Sequence, residues 1–73
     1  DKVIFTKHAE EKLRDRKISK ELVLRTIRSP EKIVLDSEKL YAFRKFGKKY
    51  LKVVFRRVDA IIIIITQYFV DTI

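Results

Sequence analysis

Cysteine, methionine and tryptophan are absent from this sequence of 73 residues, and glycine and proline occur once each. Without cysteine the chain can form no disulfide framework, no thiolate metal site and no thiol nucleophile. One histidine cannot build a histidine-rich metal site, and the acidic residues lack the spacing of a calcium loop. We therefore expect neither a metal nor another cofactor. The lack of cysteine is typical of a protein in the reducing cytoplasm.

Long apolar stretches are also missing. The longest run, residues 60–65, is far shorter than the roughly 20 residues that cross a bilayer as a helix, so we expect no membrane partner. The sequence contains no glycine-rich phosphate loop and no serine in a nucleophile-elbow setting, so we do not expect a hydrolase of the triad type. The scarcity of glycine and proline leaves no linker, so residues 1–73 should form a single domain.

What the chain does have is positive charge. Lysine and arginine number 18 against 10 acidic residues, and the formal net charge is +8. This balance favours a phosphate-bearing partner such as a nucleic acid. The alternative is a lysine- and glutamate-rich surface that serves stability, which accounts for many charges but not for the excess of one sign. The charge is also uneven, because residues 44–58 contain no acidic residue.

The first half of the chain predicts two short helices. Residues 2–5 are apolar enough for a short strand or an extended arm. Thr6 is placed to cap a helix that ends near Lys17, and Ser19 is placed to cap a second helix. The Ser29-Pro30 pair should end that helix, because a residue before proline avoids the helical region.

The second half predicts strands. Residues 32–35, 40–46, 50–56 and 60–66 are β-branched or alternate between apolar and polar side chains, with turns at Gly47-Lys48 and at residues 57–59. The predicted fold is therefore α+β, with two N-terminal helices packed on an antiparallel sheet of about four strands. The isoleucine-rich strand is apolar on both faces, so it should be central. The helices can cover one face only, which predicts a homodimer or another protein on the second face.

One group of candidate catalytic residues lies on the first predicted helix. His8, Lys12 and Arg16 are spaced by four, which places them along one helix face. A neutral imidazole beside two cations could act as the general base for a ribose 2′-hydroxyl, while the cations hold the phosphate. The alternative is an ordinary polar helix surface.

The predicted hairpin carries the basic side chains of a nucleic-acid site. Aromatic residues are interleaved with them, and aromatic rings can stack on unpaired bases. The alternative is a solvated sheet face on which lysines protect an edge strand. The candidate binding residues are Arg44, Lys45, Lys48, Lys49, Lys52, Arg56 and Arg57.

Polarity returns abruptly after the isoleucines. Thr66 and Tyr68 share one face of the predicted strand, where a phenol could donate a proton or bind phosphate. The alternative is a strand end that meets solvent.

The N-terminal segment resembles a known family. His8-Ala9-Glu10-Glu11-Lys12-Leu13-Arg14-Asp15-Arg16-Lys17-Ile18-Ser19 resembles the opening of an uncharacterised prokaryotic family, His-Ala-x-x-Arg-Met-x-x-Arg-Gly-Ile-Ser. That family is similar to the BrnT and RelE/ParE-type toxins, whose helices pack on an antiparallel sheet. Lys12 stands where arginine is usual, which keeps the charge but loses the bidentate fork, and Lys17 replaces the usual glycine.

The resemblance implies a function as well as a fold. It implies a RelE-like, metal-independent endoribonuclease of toxin–antitoxin type, with His8, Arg16 and Thr66 at matching positions and Arg44 as a strand-borne phosphate ligand. It also implies RNA as substrate and an acidic antitoxin as partner. The superfamily includes members that do not cleave RNA, so a non-catalytic domain that binds nucleic acid or an antitoxin is the alternative.

Overall fold

The computed structural model describes residues 2–73 and contains two helices that begin and end as predicted. Helix α1 comprises Lys7–Arg16 and helix α2 comprises Lys20–Arg28. The Thr6 hydroxyl accepts a hydrogen bond from the Ala9 amide at 3.0 Å, and the Ser19 hydroxyl accepts one from the Leu22 amide at 3.2 Å. Each cap satisfies an amide that the first helical turn leaves without a partner.

The sheet has five strands and is mixed. Its strands are β1 (Lys2–Phe5), β2 (Lys32–Asp36), β3 (Lys39–Phe46), β4 (Lys49–Val58) and β5 (Ile61–Val70), in the spatial order β1-β5-β4-β3-β2. Strands β2 to β5 form the predicted antiparallel meander. The turn at Gly47-Lys48 is also confirmed, and Gly47 has the positive φ of 69° that such turns require.

The expectation of an antiparallel sheet of about four strands needs correction. The opening segment pairs in parallel with β5, with Lys2 opposite Ile61 and Phe5 opposite Ile64. A parallel neighbour requires a long connection, and the whole of α1 to β4 supplies it. Docking β1 satisfies the backbone edge that β5 would otherwise expose, so the isoleucine strand lies inside the sheet as predicted.

Both helices pack on one face of the sheet, which we call the covered face. Its core includes Ala9, Leu13 and Val23 from the helices, and Leu51 and Ile64 from the strands. The opposite face, which we call the open face, carries no helix among residues 2–73. None of the helices in that range is long and apolar enough to cross a membrane.

A β-bulge in β5 changes which side chains reach each face. Val54 pairs with Thr66 but Phe55 pairs with Ile64, so Ile65 is an extra residue opposite β4. The alternation of β5 is therefore reversed after the bulge. Gln67 then lies on the covered face, and Thr66 and Tyr68 lie on the open face beside Val54 and Lys52.

Candidate nucleic-acid interface

Lys52 lies at the centre of the open face and is surrounded by aromatic rings. Its ammonium group is 4.3 Å from the centroid of Tyr41, 5.5 Å from that of Tyr68 and 5.8 Å from that of Phe43. These distances are within the range of cation–π attraction. The rings come from β3 and β5, the two strands that flank β4, so the sheet register itself assembles this group.

Arg16 joins the open face from the helical side. Strand β1 pairs with β5 only as far as Ile64, so the edge of β5 beyond that point is open to the end of α1. Across this edge the Arg16 guanidinium donates to the Thr66 hydroxyl at 3.1 Å and to the Gln67 carbonyl at 2.9 Å. The guanidinium also lies 5.5 Å from the Tyr68 centroid. Tyr68 is thus flanked by Arg16 and Lys52.

Gln67 fixes helix α1 to strand β5. The side chain is fully buried, and its amide nitrogen donates to the Ala9 carbonyl at 3.0 Å. Its side-chain oxygen is buried without a hydrogen-bond partner in the described structure. An unpaired buried acceptor is costly, so this oxygen lowers the free energy that the buried Gln67 contributes to folding. We infer that it sets the position of α1, and with it the position of Arg16.

A hydrogen bond orders the other end of the open face. The Tyr41 hydroxyl donates to Asp36 Oδ2 at 2.7 Å. This hydrogen bond, more than partial burial or the nearby negative charge, raises the pKa of Tyr41 above its usual 10.0. The phenol is the donor of this hydrogen bond, because an ionised carboxylate can only accept.

The predicted catalytic residues are only partly brought together. Arg16 and Thr66 are hydrogen-bonded. Lys12 lies one turn away on α1 and forms an ion pair with Asp15 at 3.8 Å. His8 is exposed and lies two turns, or about 12 Å along the helix axis, from Arg16. The role of His8 as a general base stays a prediction, but the structure does not place it beside the Arg16–Thr66 pair.

The predicted basic hairpin divides between the two faces. Lys45, Lys52 and Arg56 share the face of Tyr50 and Val54, which is the open face. Lys48 lies in the turn. Alternation along β4 places Lys49 and Arg57 with Leu51 on the covered face, where Lys49 is 4.0 Å from Asp71.

Arg44 also lies apart from the Arg16–Thr66 pair. It faces Leu51 in the register, and its guanidinium donates to the Ser29 carbonyl at 2.9 Å, at the end of α2. Its position beside Phe46, at 5.7 Å from the ring centroid, adds packing on the same side. Strand alternation therefore points Arg44 towards α2, and its role as a phosphate ligand stays a prediction.

Sequence reasoning gave Tyr41 and Tyr68 too little weight. In the sequence, Tyr41 is one of the aromatic residues interleaved with the basic side chains, and Tyr68 lies two positions after Thr66. The available signal was the register, since Tyr41 and Tyr68 both become neighbours of Lys52 once β3, β4 and β5 are aligned. The pairing of Tyr68 with Lys52 depends on the bulge at Ile65, and no turn residue in the sequence predicts that bulge.

Residues 2–73 contain no group of three or more histidine, cysteine, aspartate or glutamate side chains arranged to hold a metal ion. The groups that can act on a ligand are instead the cations and phenols of the open face. This arrangement suits electrostatic stabilisation of phosphate and proton transfer by a phenol.

Comparison with known proteins identifies a family but no characterised relative. No curated protein and no solved structure matches the chain. A family model described as a domain of unknown function, DUF4258, matches residues 5–69. The match begins in β1, includes the Arg16–Thr66 pair and Tyr68, and ends within β5. The chain therefore belongs to the DUF4258 family.

Proposed function

We propose that this domain binds single-stranded RNA on the open face of its sheet, and that its fold is RelE-like. The observation that carries the proposal is Lys52 held among Tyr41, Phe43 and Tyr68, with Arg16 beside Tyr68. Two helices that precede an antiparallel meander agree with the resemblance of the His8–Ser19 segment to toxin-like domains. The net charge of +8 supports a phosphate-bearing ligand.

The aromatic rings favour a single strand over a duplex. Bases in a duplex are stacked on each other, whereas unpaired bases can stack on exposed tyrosine rings. Tyr41 and Tyr68 are both half-buried, so part of each ring faces solvent. Rings on the two strands that flank β4 can hold unpaired bases, and Lys52 between them can neutralise a phosphate.

Binding to labelled oligoribonucleotides at several salt concentrations tests this proposal. Lys52→Met should lower the affinity roughly 10-fold, since it removes a charged contact. It should also reduce the slope of log affinity against log salt by about 0.7, the value for one phosphate contact on a single strand. Arg25→Gln is the matched control, because it removes one positive charge from the exposed surface of α2, on the covered side. Equal effects of the two changes would reject the open face as the binding surface.

Metal-independent cleavage of the bound RNA is the second candidate function. The observation that favours it is that the Tyr68 ring has Arg16 on one side and Lys52 on the other, each 5.5 Å from its centroid. In such cleavage the 2′-hydroxyl gives its proton to His8 or to water, and its oxygen attacks phosphorus as the bond to the 5′-oxygen breaks. The products are a 2′,3′-cyclic phosphate and a 5′-hydroxyl, whose proton comes from the acid. Arg16 and Lys52 would stabilise the charge on the pentavalent phosphorus, and the Tyr68 phenol would protonate the leaving oxygen.

The same protein, incubated with RNA in a chelator, tests cleavage. Tyr68→Phe should keep the binding and lose at least 10-fold in rate, because it removes the proton donor but not the ring. A strand with a 2′-deoxyribose at the cleaved position should bind and stay intact. His8→Ala tests the other proton: activity should be lost if His8 takes the proton of the 2′-hydroxyl, and should be retained if water takes it. If the wild-type protein binds the RNA and leaves it intact, the cleavage proposal is wrong and the domain is a binding module.

An acidic antitoxin is a proposed partner of the same surface. Carboxylates of such a protein would meet Lys52 and Arg16 in place of phosphates, so the protein and the RNA should compete. Titration of a preformed RNA complex with an acidic polypeptide distinguishes this from binding elsewhere, since only a shared surface releases the RNA.

A further inference from the structure

The open face ends in a hollow that the proposed phosphate site does not use. It has a volume of about 440 Å³ and lies at the β2–β3 turn, where its walls are Asp36, Ser37, Glu38, Lys39, Tyr41 and Arg56. The volume is within the roughly 300–1,000 Å³ of small-molecule sites. Its charges are two carboxylates and two cations, in contrast to the positive surface around Lys52.

Tyr41 connects this hollow to the proposed phosphate site. The Lys52 ammonium lies 4.3 Å from the centroid of the Tyr41 ring, and the Tyr41 hydroxyl donates to Asp36 Oδ2 at 2.7 Å. A cation for phosphate and a carboxylate in the hollow are therefore separated by one tyrosine side chain. That is the arrangement that one nucleotide needs, with its phosphate at one end and its base at the other.

The polar groups that line the hollow already form hydrogen bonds, and each can form further hydrogen bonds to a ligand. Oδ2 of Asp36 accepts from Tyr41, and Oε1 of Glu38 accepts from Arg56 at 3.1 Å. An ionised carboxylate accepts up to about four hydrogen bonds, and an arginine offers five donors. Each group can thus keep its present partner and still bind a ligand.

We propose that this hollow receives a nucleobase and prefers guanine. The Watson–Crick edge of guanine presents two adjacent donors, N1–H and the 2-amino group, which one carboxylate accepts together. Its other edge presents O6 and N7, which an arginine binds in bidentate fashion. Asp36 and Arg56 complement both edges. Adenine has an amino group where guanine has O6. That amino group and the Arg56 guanidinium are both donors, so they cannot form a hydrogen bond.

This inference rests on the proposed RNA binding, and the test separates the two. The probes are eight-nucleotide oligouridines that carry one central guanosine, adenosine or cytidine, measured by fluorescence anisotropy in about 0.15 M salt. The guanosine probe should bind roughly 5- to 150-fold more tightly than the other two, the range of one good bidentate contact. Inosine, which lacks the 2-amino group, should lose most of that gain.

The variant Asp36→Asn should reduce the preference for guanosine to under about 2-fold, and it should change the affinity for plain oligouridine no more than Asp59→Asn does. Asp59→Asn is the matched control, because it removes one negative charge at the β4–β5 turn, outside the walls of the hollow. Arg56→Gln should likewise narrow the difference between guanosine and adenosine probes. Binding of plain oligouridine with no preference among the probes would overturn the guanine assignment alone. Absence of binding to every probe would overturn the proposed function with it.

Discussion

At the scale of single residues, the Tyr41 side chain makes two contacts of different kinds. Its ring faces a cation and its hydroxyl faces a carboxylate. Neither relation is visible in the sequence, because Asp36 lies across the β2–β3 turn and Lys52 lies on the next strand. The alternation of residues 40–46 predicted the face of Tyr41, but only the register supplied its neighbours.

The raised pKa of Tyr41 has a measurable consequence at alkaline pH. Below pH 10 the phenol is protonated in both the folded and the unfolded chain, and its hydrogen bond to Asp36 stabilises the fold. As the pH rises above about 10, the unfolded chain ionises first, so this stabilisation is lost progressively until the folded-state pKa is passed. Absorbance titration should therefore show one tyrosine that ionises later than in Asp36→Asn. An identical titration curve for the variant would show that the hydrogen bond is not formed in solution.

At the scale of elements, the helices could be predicted closely and the sheet only in part. Caps and proline are local signals, so Thr6, Ser19 and Pro30 marked the helix boundaries correctly. The parallel pairing of β1 and the bulge at Ile65 depend on contacts distant in sequence. The bulge in turn decides that Gln67, and not Thr66, packs under α1, so the candidate site could not be completed from periodicity alone.

The turn between the helices contains a testable strain. Lys17 ends α1 with φ 55° and ψ 47°, the left-handed conformation in which a side chain costs about 1 kcal/mol or more. Glycine adopts this left-handed geometry without a steric cost, because it has no Cβ atom. Lys17→Gly should raise the free energy of unfolding by about 0.5–1 kcal/mol, after the greater unfolded-state entropy of glycine is subtracted.

Urea denaturation measures this change. Lys17→Ala is the control, because it removes the same side chain but keeps the Cβ atom that causes the strain. If alanine stabilises the protein as much as glycine does, the gain comes from lost charge repulsion and the strain argument is wrong.

At the scale of the whole molecule, one helical layer leaves a sheet face without a cover. That face is mixed in character, with Val54 and Phe43 nearly buried and Lys52 and Arg56 more accessible. The sequence suggested a homodimer because the isoleucine strand is apolar on both sides. In the structure, the open face also carries the cations, so pairing two copies would bring like charges together in a chain of net charge +8.

We expect the mass in solution to depend on salt for this reason. Light scattering should give the mass of one chain at about 0.1 M salt, where charges are screened only beyond about 10 Å. A dimer should gain population near 1 M salt, as repulsion is screened and apolar contact is strengthened. A stable dimer at low salt, unchanged by Lys52→Glu, would place the interface elsewhere.

The pairing of the first strand with the last also has a consequence for how the chain folds. The Thr6 hydroxyl donates a hydrogen bond to the carbonyl of Ile65, 59 positions later, and Phe5 pairs with Ile64. Sheets closed by such distant contacts form slowly compared with helical bundles, because the loop must be ordered before the contact is made. During synthesis the helices and the β3–β4 hairpin would leave the ribosome before the strand that joins them to β1. The nascent chain would therefore hold an incomplete core with an unpaired β4 edge, a state prone to aggregation until the isoleucines emerge.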